Sequence, residues 1–357
     1  MKLLITGGAG FIGGWIVERL PAGVEVVVVD LLEPEVHRRG RAFTAAAMAR
    51  ARCLKADVCV PESWEQELDG ADVVIHLAAN TGVGQSMDQP GRYVRTNSEG
   101  TARLLEAIAR AKRPPSRLVL ASSRAVYGDG WYRATSGELV PGRRSPANLA
   151  AGRFDVLGPD GTPLEPVAMS EETPPQPVSV YGFTKLWQED LVRLVGPTIG
   201  LESVILRLQN VYGPRQEAEN PYTGIVAMFM QRAACGETIE IYEDGRPLRD
   251  FVFVEDVADM LVKAALNRSV PPGVVNVGTG VATSLLDLCA AIGDVVGVTP
   301  RLHLGGTYRL GDVRHAVADL AGCRAFFGAT PRVDLRTGLA CYWEWMREEQ
   351  PRFRQGG

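Results

Sequence analysis

A doubly wound α/β sheet with a smaller α+β lobe is the fold class this sequence predicts, on three observations. Short β-branched runs alternate with longer helical patterns through the first two-thirds of the chain. Several of those runs are apolar almost throughout, as strands are when helices cover both faces of a parallel sheet. The first run leads straight into a glycine-rich turn and a helix. After Gly213 the alternation gives way to a mixed pattern, which marks the second lobe.

Taken in order, residues 2–6, 24–30, 53–57, 72–77, 117–122 and 204–208 read as strands. Residues 11–20, 61–68, 94–111 and 181–195 read as the helices among them. Residues 129–178 have no period and carry Pro141, Pro146, Pro159, Pro163, Pro166, Pro174, Pro175 and Pro177. They read as a long insertion between a strand and the next helix, of the kind that is a functional lid or disordered. Beyond Gly213, residues 224–234 and 255–266 read as helices and 239–242 and 251–254 as strands. Residues 338–348 read as one amphipathic helix. The expected division is 1–212 with its insertion, and 213–357, with segments near 255–280 returning to the first unit.

Composition narrows the function classes. Of 357 residues, 46% are hydrophobic and 22% charged, ordinary soluble globular usage that excludes disorder as the main state. A formal net charge of -4 leaves no broad basic face for nucleic acid. No stretch reaches the ~18 apolar residues of a membrane span. Met1–Gly7 looks like a signal peptide for a few residues, then runs into glycines with no cleavage site. Cys53, Cys59, Cys235, Cys289, Cys323 and Cys341 form no CxxC pair, so free thiols in a cytoplasmic protein are expected and no metal site is.

Thr6-Gly7-Gly8-Ala9-Gly10-Phe11-Ile12-Gly13 lies between the first strand and the first helix. Glycines at 7, 10 and 13 permit a tight turn, close approach of backbone to a pyrophosphate, and close helix–strand packing. The helix N-terminus then offers free N–H groups to the phosphates. Asp30 ends the second strand, 17 residues after Gly13. A carboxylate there accepts hydrogen bonds from a ribose diol and repels a 2′-phosphate, which favours NAD over NADP.

Tyr181 and Lys185 sit one helical turn apart on one face. A tyrosine holds its proton to about pH 10, and a neighbouring ammonium lowers that value toward neutrality. Ser122-Ser123 ends a strand at the carboxyl edge of the sheet, where such folds place their ligands. Alone, this spacing describes a surface Tyr-Lys pair; joined to the glycine loop and Asp30 it describes an acid/base centre beside a dinucleotide.

Further ordered motifs follow: Asp57-Val58, His76-Leu77-Ala78-Ala79, Asn97 with Gly100-Thr101, and Val126-Tyr127-Gly128 after Ser123. Leu206-Arg207, the run Asn210–Arg215, Arg249-Asp250-Phe251-Val252 and Asp256-Val257-Ala258 complete the series. Through them the chain resembles the extended short-chain dehydrogenase/reductase family, in its nucleotide-sugar epimerase branch, from Met1 to about Phe327. The resemblance implies a Rossmann domain with a substrate-binding lobe. It implies NAD contacts from Gly7, Gly10, Phe11, Ile12, Gly13 and Asp30, with Asp57 and Val58 flanking the adenine. Leu77, Ala78, Ala79 and Asn97 join that set, and Ser123, Tyr181 and Lys185 are the implied catalytic triad. Asn210 and Arg249 are implied contacts to a substrate diphosphate, Tyr242 to the base, and Arg309 and Asp312 close over the nucleotide. Gln85 and Ser86 lie where the family touches the sugar, and Ala316 near the position that walls the sugar pocket.

Departures from the family's patterns set the expected reaction. Dehydratases of the family carry Thr-Asp-Glu before Val-Tyr-Gly, and the two carboxyls expel water. Here Ser123, Arg124 and Ala125 stand in those places. What remains is reversible oxidation: Tyr181 exchanges a proton with the sugar 4-hydroxyl, C4 is oxidised by NAD, and the 4-keto sugar turns before reduction. That is a 4-epimerase of a dTDP- or UDP-linked sugar. Residues 81–87, 91–94 and 123–128, with Trp131-Tyr132-Arg133, further resemble dTDP-L-rhamnose 4-epimerase-type proteins. Similar enzymes hold cysteine pairs in the insertion; this chain has none between Cys59 and Cys235. A net oxidoreductase and a non-catalytic NAD-binding regulator remain as alternatives. The family also implies a homodimer through residues 94–111 and 181–195.

Overall fold

In the computed structural model of the chain, seven strands form one all-parallel sheet. Residues 1–34, 36, 45–216, 224–309, 311–349 and 353 are described. The strands are Lys2–Thr6, Glu25–Asp30, Arg52–Lys55, Val73–His76, Arg117–Ser123, Glu202–Leu208 and Gly273–Val277. Numbered along the chain, their spatial order is 3-2-1-4-5-6-7. The order reverses between Lys2–Thr6 and Val73–His76, and a crevice opens at the carboxyl ends there, where such sheets bind ligands.

Alternation along the strands builds a core on each face. Leu3 and Ile5 join Ile16, Val17, Val257 and Leu261, under helices Phe11–Arg19 and Val254–Leu266. Leu4 faces the other way, into Leu104, Leu105, Ile108 and Val192, under Gly100–Arg110 and Val180–Val195. The strands are apolar on both sides because both sides are covered. A separate core of Tyr212, Phe229, Met230, Phe251, Phe253, Leu288 and Leu339 holds the smaller lobe together. Helices Ile225–Ala234, Leu285–Val296 and Leu335–Glu349 contribute to it.

Several elements differ from the sequence expectation. Residues 61–68 are two 3₁₀ turns, Pro61–Ser63 and Glu65–Leu68, broken at Trp64. The buried Trp64 indole donates to the Asp57 carbonyl at 3.0 Å, which holds the chain out of a continuous helix. Residues 94–111 begin as a π-helix, Val94–Glu99, before the α-helix Gly100–Arg110. The strand Gly273–Val277 carries no continuous apolar run because buried Asn276 interrupts it; the Asn276 amide bonds Tyr127 and the Met169 carbonyl. The insertion is folded: Leu139–Pro141, Trp131–Arg133 and Glu165–Val167 form an antiparallel sheet, and Ser145 caps the helix Pro146–Ala150. No helix among the described residues is long and apolar enough to cross a membrane.

One buried ion pair ties the helix Val180–Val195 to the sheet. Glu189 and Arg207 have side chains 0% and 3% exposed and lie 2.8 Å apart. Ser122 donates to Glu189 at 2.5 Å, and Arg207 donates to the Tyr127 hydroxyl at 2.9 Å. Removing one partner leaves the other charge buried and unpaired, at a cost of about 3–5 kcal/mol. Arg207→Met is therefore expected to lower the unfolding free energy by that amount, read as a shift of the denaturant midpoint at unchanged m-value.

Candidate active site

The first turn of the fold has space for backbone and little else. Gly7 adopts φ +70°, and a Cβ there would stand 2.6 Å from the Ala78 nitrogen. A Cβ at Gly13 would stand 2.4 Å from the Gly8 carbonyl, so helix Phe11–Arg19 approaches the turn as closely as glycine allows. The resulting cavity, of about 430 Å³, is lined by Gly7, Gly10, Phe11, Ile12, Gly13, Asp30, Asp57 and Val58 on one side. Leu77, Ala78 and Ala79 line another, and Ser123, Arg124 and Asn210 its far end.

Two carboxylates edge the cavity. Asp30 accepts from the Ala9 and Leu32 amides at 3.0 and 2.9 Å. These bonds orient it, and a carboxylate has further lone pairs for a ribose diol. Asp57 is partly buried, which alone would raise its pKa. Hydrogen bonds from Cys59 and Arg95 outweigh that and hold it below the usual carboxylate range. A cradle closed to any Cβ, an oriented acid at the second strand and a helix N-terminus over the turn fit NAD.

At the far end, Ser123 ends its strand with its Oγ accepting from the Ala125 amide at 3.1 Å. Ser179 caps the helix Val180–Val195, so Tyr181 and Lys185 stand in its first turns. Burial pushes the Tyr181 phenol upward; a hydrogen bond with Ser123 and the charge of Arg124 pull it back. Lys185 is 3% exposed, and burial lowers its pKa to about 7 against the opposing field of Glu189. Its Nζ donates to the Ala121 carbonyl at 2.9 Å. Sequence reasoning gave Lys185 the task of lowering the Tyr181 pKa; the charge of buried Arg124 also acts in that direction. Arg124 donates its Nε to Asn210 Oδ1 at 3.0 Å, and burial and Arg249 lower its own pKa to about 10.

The remaining candidates fall into two groups. Arg249 donates to Asp312 Oδ1 at 3.2 Å and to the carbonyls of Leu248, Arg314 and Val313. Arg309 lies over the Tyr242 ring, 4.6 Å from its centroid, and donates to its hydroxyl at 2.6 Å. Ser86 and Asn97, by contrast, are buried behind the cavity. Ser86 accepts from the Tyr181 amide at 3.0 Å and donates to the Val83 carbonyl. Asn97 bridges both backbone groups of Asn80 to Thr184. In this structure both fix the reactive helix and the turn before it. Gln85 lies in the helix Val83–Asp88 beside Ser86. Ala316 is buried with Val126, Tyr127, Met169 and Val313.

Sequence reasoning noted Arg124 only as a missing carboxyl; the structure places it on the cavity lining, donating to Asn210. That reasoning also overlooked Arg144 and Arg314, whose partners lie up to 168 and 185 residues away. No local pattern signals such pairs. Among the described residues no group of His, Cys, Asp and Glu could hold a metal ion.

Comparison with known proteins identifies the family. Residues 3–278 match the NAD dependent epimerase/dehydratase family. The chain is 40% identical to a dTDP-L-rhamnose 4-epimerase of Burkholderia thailandensis, covering 98% of this chain and 96% of that protein. It is 33% identical to a UDP-glucose 4-epimerase of Mycolicibacterium smegmatis, covering 98% and 99%. Among solved structures, MoeE5 in complex with UDP-glucose and NAD superimposes with a TM-score of 0.77 at 32% identity, covering 98% and 99%. The UDP-glucose 4-epimerase of Thermus thermophilus in complex with NAD gives 0.76 at 28%, covering 100% of both chains. The glycine cradle, the acidic second strand and Ser123 at the cavity's far end, with Tyr181 and Lys185 on the helix beside it, thus sit in a chain that belongs to the NAD dependent epimerase/dehydratase family.

Proposed function

We propose that the protein is an NAD-dependent 4-epimerase of nucleoside-diphosphate sugars, with Tyr181 as acid and base. The observation that carries this reading is the end of the cavity. Ser123 bonds the Tyr181 phenol there, and Arg124 and Ala125 stand where elimination chemistry needs carboxyls. What bound NAD supplies is reversible oxidation at the sugar C4. Tyr181 takes the proton of the 4-hydroxyl and returns it, and Ser123 holds the oxygen as it becomes a carbonyl. Arg249, its four terminal N–H groups held by Asp312 and three carbonyls, presents its Nε–H and its charge to the diphosphate while the 4-keto sugar turns. Asn210 joins it, and Tyr242 with Arg309 encloses the base.

The relative at 40% identity supports a dTDP-linked 6-deoxyhexose as the first substrate to offer, with UDP-hexoses as the alternative. Incubation with dTDP-L-rhamnose and UDP-glucose, followed by NMR of the C4 proton, tests the reading. Inversion at C4 with no growth of reduced-nicotinamide absorbance is expected; net NADH release would replace it with the oxidoreductase reading.

Homodimerisation is supported by Phe183, Trp187 and Leu194, which leave one stripe of the helix Val180–Val195 61%, 56% and 73% exposed. The paired change Trp187→Glu and Leu194→Glu is expected to yield a monomer in sedimentation analysis. The lack of a membrane-crossing helix among the described residues is consistent with the cytoplasmic location we propose.

The pH dependence follows from the groups around Tyr181. Arg124→Met removes the charge that lowers the phenol pKa, so that pKa rises. The base form then appears only at higher pH, and the acid limb of log kcat/KM moves upward. Tyr181→Phe is expected to lose about 10²–10⁴-fold in kcat, the usual range for a general acid–base. Steady-state kinetics across pH 5–10 check both.

A further inference from the structure

The insertion 129–178 reaches the diphosphate end of the site through a buried network of charges. Arg144, with a side chain 2% exposed, donates to Glu243 Oε1 at 2.6 Å, to the Phe154 carbonyl at 3.3 Å and to the Asp312 carbonyl at 2.5 Å. Its Nε lies 3.5 Å from Asp129 Oδ1, which accepts the Arg314 amide at 3.2 Å. The Arg314 guanidinium, 1% exposed, spans Asp155 of the insertion and Glu243 and Asp244 of the smaller lobe, all at 2.6–2.9 Å.

Arg249 depends on the segment held in this way. Three of the four groups it donates to are the Asp312 carboxylate and the carbonyls of Val313 and Arg314. Residues 311–314 belong to no helix or strand; the Arg314 carbonyl also accepts from the Leu248 amide at 3.1 Å and Val313 is packed with Val126, Tyr127 and Met169, so Asp312 is the acceptor that relies most on Arg144. Arg144 grips Asp312 on its carbonyl while Arg249 grips the same residue on its carboxylate.

We propose that the insertion is a brace that presets Arg249 for the substrate diphosphate, with Arg144 as its positioning residue. The proposal rests on the reading of Arg249 as the diphosphate contact. The network holds two guanidiniums among four carboxylates, Asp129, Asp155, Glu243 and Asp244. It is net acidic and repels a phosphate, so its effect on binding passes through Arg249. An arginine is the residue suited to this: its planar fork satisfies three acceptors in fixed directions, which a lysine does not. A guanidinium immobilised before substrate arrives loses no rotamer freedom on binding, which favours affinity.

The test is a double-mutant cycle on the full NAD-loaded protein, with dTDP or UDP alone as the titrated ligand. Arg144→Met is expected to weaken nucleoside-diphosphate binding about tenfold and to raise KM. Its kcat and NAD content stay near those of the parent. Arg249→Met weakens binding further, and the double variant binds no worse than Arg249→Met alone, because both losses pass through one group. Arg144→Met binding like the parent, or a loss that adds in full to that of Arg249→Met, overturns the brace. Should Arg144→Met fold poorly, Asp155→Asn removes the outermost and half-exposed carboxylate. A smaller loss in the same titration supports the brace, and unchanged binding overturns it. If Arg249→Met itself binds like the parent, the diphosphate reading fails and the brace fails with it. A weak Arg249→Met beside an unchanged Arg144→Met defeats the brace alone.

Discussion

A single polar seam, buried between the helix Val180–Val195 and the sheet, sets the geometry on which the rest of the site depends. Thr184, Lys185, Gln188 and Glu189 all turn inward on one face, and each finds a partner. Thr184 meets Asn97, Lys185 the Ala121 carbonyl, Gln188 Thr101 and His76, and Glu189 Ser122 and Arg207. Buried polar groups are costly unless satisfied, so a helix slid by one residue would leave several of them orphaned. The seam therefore admits one register, and that register sets Tyr181 against Ser123. Burial also keeps His76 neutral, its pKa lowered to about 3, so the seam carries no unmatched imidazolium.

The dinucleotide cavity and the neighbourhood of Arg249 use different physics. The dinucleotide end works by exclusion: glycines at 7 and 13 bring backbone within reach of a pyrophosphate and leave no room for a side chain. The neighbourhood of Arg249, where we propose the substrate diphosphate binds, works by fixed charge. There Arg249 is held by carbonyls and a carboxylate rather than by solvent, and the residues that hold it are themselves held from the insertion. Ion pairs as deeply buried as Arg144–Glu243 contribute little net stability after desolvation. Their value lies in direction, since few alternative arrangements satisfy every partner. The insertion reads in sequence as a proline-rich loop; in the fold it couples two lobes.

The legible parts of the molecule were those carried by local period or by short fixed spacing. Runs such as 2–6 and 117–122 were visible because both faces of the sheet are covered, so the strands are apolar throughout. The glycine turn, Asp30, and the Tyr181/Lys185 pair were visible because a turn and a helix impose their spacing directly. Residues 61–68 misread as a helix because a buried Trp64 bond, not helical period, decides their path. Gly273–Val277 went unread because a structural asparagine sits in its centre. Ser86 and Asn97 lie in the motifs that resemblance assigns to sugar and cofactor, yet their polar atoms bind backbone and the reactive helix.

By itself, the order of residues determined the parallel sheet, the dinucleotide turn, the acid/base pair and the absence of elimination carboxyls. All of these are properties of neighbours within one turn or one strand. Tertiary structure decided where the two cations lie, since Lys185 donates to the Ala121 carbonyl and Arg124 to Asn210. It also decided what holds Arg249, because Arg144 and Asp312 lie 168 residues apart and meet only once two lobes and an insertion have packed. Local chemistry is written in spacing. The fields that tune it are summed over the folded neighbourhood, and no stretch of sequence contains that neighbourhood.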